Sequence, residues 1–120
     1  MTWKNQSFAA RLRFALHGLG HALRSEQSVR LQAVAFAAVL IALLVLRPHP
    51  VWWALALLAS ALVIAAELMN TALEELADHL HPEAHARIRL VKDCAAGAVL
   101  VAVLGALGVA CAFVVALLRH

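Results

Sequence analysis

Apolar residues in this 120-residue chain form three long runs that short polar segments separate. The runs cover residues 33–46, 51–66 and 94–118. A helix needs about 20 mostly apolar residues to cross the hydrocarbon core of a bilayer. Helical periodicity extends beyond the first two runs, and prolines at positions 48, 50 and 82 interrupt it. We therefore predict membrane-spanning helices at about residues 28–47, 51–80 and 91–118.

The segment before the first run predicts a further helix. Phe8, Leu12, Leu19 and Leu23 recur at the spacing of one helical face, whereas the basic side chains lie on other faces. This pattern is typical of an amphipathic helix on a membrane surface, here at about residues 6–25. A fourth helix packed against the bundle is the alternative.

The composition agrees with a membrane protein, since 64% of the residues are hydrophobic and 14% are charged. A soluble domain of this length would need more polar residues to cover its core. No linker or low-complexity tract divides the chain, so we predict a single all-α domain over residues 1–120. The sequence has no long basic tract with interleaved aromatic residues, which argues against a nucleic-acid partner.

The basic residues predict how the chain is oriented in the membrane. Eight of the ten lie on the side that holds the N-terminus, and only Arg47 and Arg119 lie on the other. Cytoplasmic segments carry the excess of lysine and arginine, so we expect a cytoplasmic N-terminus. All seven acidic residues fall on the same predicted side, namely Glu26, Glu67, Glu74, Glu75, Asp78, Glu83 and Asp93.

Five polar residues share one face of the second predicted span. At about 100° per residue, this acidic face consists of Glu67, Asn70, Thr71, Glu74 and Asp78. Glu75 points away from its centre. Glu67 directly follows the apolar run, so it should lie at the membrane boundary or just within it, where ionisable groups are costly and usually functional.

The spacing along this face predicts two separate roles. Glu67 and Glu74 are about 10 Å apart along the helix axis, too far to bind one ion at about 2.0–2.6 Å. One carboxylate can hold a cation while the other performs chemistry nearby. Glu26 lies on the same predicted membrane side and could complete an oxygen site with Glu74. Mg²⁺ typically takes one or two carboxylates together with substrate phosphates.

Cations near the same membrane boundary suit a phosphorylated substrate. Lys92 could neutralise phosphate charge, whereas Asp93 could equally be an acid favoured at a helix start. Carboxylates for a metal ion and cations for phosphate together favour phosphoryl transfer. Catalysis of this reaction depends mainly on positioning the reactants and stabilising the charge on the phosphoryl group. The usual phosphate-binding loop motifs are not found. An ion-coupled transporter that uses Glu67, or a non-catalytic assembly subunit, explains fewer of these residues.

The motif that runs from Glu67 to Asp78, with Lys92-Asp93 downstream, resembles the bacterial integral-membrane diacylglycerol kinases, a family that includes undecaprenol kinases. The resemblance covers about residues 8–115, and Gly18-Leu19 ahead of Glu26 also matches. It implies a homotrimer with three spans and a surface helix per protomer, whose sites are shared between subunits. It also implies a multi-pass protein of the bacterial inner membrane with its site facing the cytoplasm.

The family further implies transfer of the ATP γ-phosphate to diacylglycerol, giving phosphatidic acid, with undecaprenol as the alternative lipid. Glu67 would be the general base, and Mg²⁺ would be held by Glu26 and Glu74. The nucleotide would contact Glu26, Asn70, Glu74, Asp78, Glu83, His85, Lys92 and Asp93. The lipid would contact Glu67, Arg11, Arg13 and Ser28. Ala84 departs from the aromatic residue common in the family, and Ser7 replaces the N-terminal arginine of some members.

Overall fold

The computed structural model describes residues 6–119, which form four α-helices and no β-strand. These are α1 (Phe8–Ser25), α2 (Gln27–Leu46), α3 (Pro50–Leu80) and α4 (Ala86–Leu118). The predicted all-α class is therefore confirmed for the described part of the chain. That α1 lies on a membrane surface stays a prediction.

Helices α2, α3 and α4 are each long and apolar enough to cross a membrane. Most of their large apolar side chains are exposed. Such surfaces suit lipid, which unlike water does not penalise exposed apolar groups. At 1.5 Å per residue, the 33 residues of α4 measure about 50 Å and exceed a hydrocarbon core of about 30 Å.

Local capping interactions determine where two of the helices begin. The His49 side chain accepts a hydrogen bond from the Val51 N–H at 3.1 Å, and Pro50 occupies the first turn of α3. His85 likewise accepts from the Arg87 N–H at 3.0 Å at the start of α4. Helix α4 therefore begins at Ala86, ahead of the predicted span, because hydropathy marks the membrane segment rather than the helix end.

The largest interface in the fold joins α3 to α4, while α2 packs on α3 and α1 contacts both α2 and α3. The buried interior is thin and consists of Ala22, Val29, Leu43, Val63, Ala77 and Ala95. The described chain measures 55 × 38 × 24 Å along its principal axes. This flat bundle leaves broad apolar faces for lipid or for further copies, and the homotrimer stays a prediction.

Candidate functional site

Glu67 is the one buried charged residue in the described part of the chain, with 7% of its surface exposed. It lies in the middle of α3, where the apolar run gives way to polar residues. Burying an ionised carboxylate is costly unless the group is paired. A chain that keeps a carboxylate in this position therefore uses it for something other than packing.

One turn further along α3, Asn70 and Glu74 form a hydrogen-bonded pair. The Asn70 Nδ2 donates to Glu74 Oε1 at 2.9 Å. This bond fixes the orientation of the amide, because its oxygen cannot donate to a carboxylate. Asn70 Oδ1 is buried and has no hydrogen-bond partner among residues 6–119. Because a buried oxygen left without a partner costs about 1–3 kcal/mol, Asn70 Oδ1 is a candidate ligand atom.

An ion pair connects α3 to α4 beyond this point. Lys92 Nζ donates to Asp78 Oδ1 at 2.5 Å. Lys92 is the less exposed partner, with 35% of its side-chain surface accessible. A second pair, Arg89 with Asp93 at 3.2 Å, lies on the exposed surface of α4. Arg89 and Lys92, the two cations that line the cleft at the α4 start, are thus each paired with a carboxylate.

A cleft of about 500 Å³ opens where α3 ends and α4 begins. Pockets that hold small molecules commonly have volumes of about 300–1,000 Å³. The cleft is lined by Asp78, His81, Pro82, Glu83, Ala84, His85, Ala86, Ile88, Arg89 and Lys92. It therefore brings together four predicted nucleotide residues, Asp78, Glu83, His85 and Lys92. Asn70, Glu74, Asp93 and Glu26 do not line it.

Two polar residues of the cleft, His81 and Arg89, received no role in the sequence analysis. The signal for them was weak because each is a polar residue in a polar segment. His81 Nδ1 lies 3.1 Å from the Glu83 carbonyl, which can only accept, so this nitrogen donates. His85 Nδ1 accepts the capping bond, which leaves its Nε2 as the donor. The α4 N-terminus adds a positive dipole end beside both rings.

Glu26 is separate from this cleft and forms the joint between α1 and α2. Its backbone is extended, and its side chain makes no capping hydrogen bond. Within residues 6–119, no three His, Cys, Asp or Glu side chains cluster closely enough to hold a metal ion. The predicted pairing of Glu26 with Glu74 at Mg²⁺ stays a prediction.

The predicted lipid-contacting residues lie on three helices. Arg11 and Arg13 are exposed on α1, and the Arg13 guanidinium lies 5.7 Å from the centre of the Phe14 ring. Ser28 is exposed in the first turn of α2, and Glu67 is buried in α3. Their common contact with a lipid stays a prediction.

Known proteins resemble the chain over most of its length. The family described as "Prokaryotic diacylglycerol kinase" matches residues 13–114. A protein from Synechocystis sp. named "Diacylglycerol kinase" is 36% identical over 95 residues, which cover 78% of this chain and 54% of the relative. The chain thus spans about half the length of that relative. The family match includes the acidic face, the cleft and the α1–α2 joint. The chain belongs to the prokaryotic diacylglycerol kinase family.

Proposed function

We propose that the chain is a lipid kinase that transfers the γ-phosphate of ATP to the hydroxyl of diacylglycerol and forms phosphatidic acid. Buried Glu67, one turn from the Asn70–Glu74 pair on the same helix, is the observation that carries this proposal. The reaction takes place at the cytoplasmic face of the inner membrane, in a homotrimer. The family membership supports the same activity.

Glu67 would be the group that acts on the lipid. Its carboxylate lies at the apolar end of the acidic face, which suits a hydroxyl held at the headgroup boundary. As general base it would accept the hydroxyl proton while the lipid oxygen attacks the γ-phosphorus and the bond to the bridging oxygen breaks, releasing ADP. Arg11, Arg13 and Ser28 would contact the lipid headgroup. The surrounding apolar residues would limit the access of water, which would otherwise compete as the acceptor.

The residues next to Glu67 suit Mg²⁺. Asn70 Oδ1 is buried and unpaired, and Glu74 keeps one carboxylate oxygen outside the Asn70 bond. Carboxylate and amide oxygens are ligands for hard cations, and Mg²⁺ needs few protein ligands when phosphates supply the others. Glu74 and Glu26 would hold the ion, with Asn70 orienting the site. When bound, Mg²⁺ neutralises charge on the phosphate oxygens.

The cleft at the start of α4 would hold the nucleotide. Lys92 and the His85 Nε2–H supply donors for phosphate oxygens, and Arg89 adds a further cation. Asp78 keeps Lys92 directed toward α3, the helix that carries the rest of the site. Glu83 lies on the cleft wall, and Asp93 extends the nucleotide contacts just outside it.

The decisive experiment measures lipid phosphorylation directly. Purified chain in mixed micelles should transfer labelled phosphate from ATP to diacylglycerol in the presence of Mg²⁺. Undecaprenol in a parallel reaction and in competition identifies the preferred lipid. No labelled product with either lipid, from folded protein, would contradict the proposal. ATP-independent ion flux in vesicles would instead favour the transporter.

Replacing Lys92 with methionine should raise the KM for ATP by about tenfold or more, because a hydrogen bond to a charged group contributes about 1.5–3 kcal/mol. Steady-state kinetics at saturating lipid and Mg²⁺ measure this change. Arg87→Met is the matched control, since Arg87 is exposed, lies near the same helix start and does not line the cleft. Equal KM values for the two variants would remove Lys92 from the nucleotide site.

A further inference from the structure

Arg30 lies on α2, and its side chain caps the C-terminal end of α1. Its Nη1 donates to the Leu23 carbonyl at 3.1 Å and to the Arg24 carbonyl at 2.7 Å. Both carbonyls belong to the last turn of α1, where helices lack intrahelical donors. The positive charge also complements the negative end of the α1 dipole. Arg30 therefore links two helices through the main chain of one and the side chain of the other.

Glu26 lies between the two helices that Arg30 connects. It is the single residue between α1 and α2. Its N–H donates to the Ala22 carbonyl at 2.8 Å, and its carbonyl accepts from the Arg30 N–H at 3.2 Å. Ala22 and Val29, on either side, are 3% and 1% exposed. Arg30 thus bonds to the last turn of α1 through its side chain and to Glu26 through its backbone. The buried Ala22 and Val29 flank the joint in the sequence.

Within residues 6–119, the Glu26 carboxylate takes part in no ion pair. Arg30 is four residues away in sequence, yet its guanidinium binds carbonyls, and the two side chains form no ion pair. Glu26 also makes no side-chain capping bond. An arginine near a carboxylate commonly pairs with it, which would neutralise the charge that a cation needs. Here Arg30 instead holds the backbone at the end of α1 and does not neutralise the Glu26 carboxylate.

We propose that Arg30 is a positioning residue that holds the Glu26 carboxylate in place relative to Glu74. This inference rests on the proposed function, in which these two carboxylates hold Mg²⁺ on ATP. Helix α1 contacts α3 as well as α2, so an α1 fixed at its last turn also fixes the joint relative to α3. Without the link, α1 can pivot about residue 26, and metal affinity falls although every carboxylate remains.

The test compares Arg30→Met with the wild type in two measurements. We expect the Mg²⁺ concentration for half-maximal lipid phosphorylation to rise about tenfold, the lower end of the roughly 10–100-fold loss that follows when a residue supporting a metal ligand is removed. Turnover at saturating Mg²⁺ should stay close to wild type. Mn²⁺ binding in the presence of a non-hydrolysable ATP analogue, followed by electron paramagnetic resonance, should weaken by a similar factor. This second measurement requires no catalysis.

Control variants separate positioning from general support of the fold. Arg30→Lys keeps a cation at the α1 carbonyls and should recover most of the affinity. Arg24→Met removes an exposed cation of the same turn whose side chain is not part of the link, and should behave as wild type. In a Glu26→Gln background, Arg30→Met should weaken Mn²⁺ binding no further, because both changes act through one carboxylate.

Three results would overturn the inference. They are wild-type Mn²⁺ affinity in folded Arg30→Met, equal losses in Arg30→Met and Arg24→Met, and fully additive losses with Glu26→Gln. If Arg30→Met does not fold, Arg30→Gln, which removes the charge but keeps a polar side chain, replaces it in both measurements and in the cycle with Glu26→Gln. Failure of the proposed function looks different, since the wild type itself would then yield no phosphorylated lipid.

Discussion

Glu67→Gln should reduce lipid phosphorylation by about 10²- to 10⁴-fold, the range that a positioned general base contributes. Glutamine has nearly the same shape but cannot accept the hydroxyl proton. The Kd for a non-hydrolysable ATP analogue should not change, because Glu67 lies outside the nucleotide cleft. Single-turnover kinetics with radiolabelled ATP and equilibrium binding on the same preparation measure the two effects.

Stability provides an internal check on this prediction. Glu67 is buried and makes no ion pair within residues 6–119, so removing its charge should not lower the midpoint of thermal unfolding. Glu75→Gln is the control, since Glu75 lies on the same helix, undergoes the same chemical change and is exposed. Glu67→Gln protein with a wild-type rate of phosphoryl transfer would show that another group is the base.

The sequence was most informative about features that a single helix determines. Residues 67, 70, 74 and 78 share a face because of helical geometry alone, and α3 is one continuous helix across them. The apolar runs likewise predicted helices, because about 20 apolar residues can be buried in lipid only as a helix. The earlier start of α4 was not predictable, since it depends on a local bond from the Arg87 N–H to the His85 ring.

Contacts between helices could not be predicted from the sequence. The Asp78–Lys92 bond joins residues of α3 and α4, and it depends on how these helices pack. Lys92 alone was predicted as a phosphate ligand, without the carboxylate that orients it. In the sequence analysis, Arg30 counted only as one of the basic residues on the predicted cytoplasmic side. Nothing in its spacing reveals two carbonyls of α1 as its partners.

Glu74→Gln should lower kcat/KM for MgATP by at least about 100-fold, because even indirect partners of metal ligands change metal affinity by 10–100-fold. The substitution isolates the charge, since the glutamine oxygen can still accept the Asn70 Nδ2 bond. Activity titrated against Mg²⁺ should need far more metal for half-saturation, and excess Mn²⁺ should restore part of it.

That partial recovery distinguishes Glu74 from Glu67, whose glutamine variant should not respond to added metal. Asn70→Ala should show an intermediate defect, because it removes the buried, unpaired Oδ1 but keeps the Glu74 carboxylate. Glu75→Gln, adjacent in sequence but exposed, should keep the wild-type Mg²⁺ dependence. An unchanged Mg²⁺ titration in Glu74→Gln would mean that the ion binds elsewhere, and that the Asn70–Glu74 pair shapes the helix face without contacting the metal.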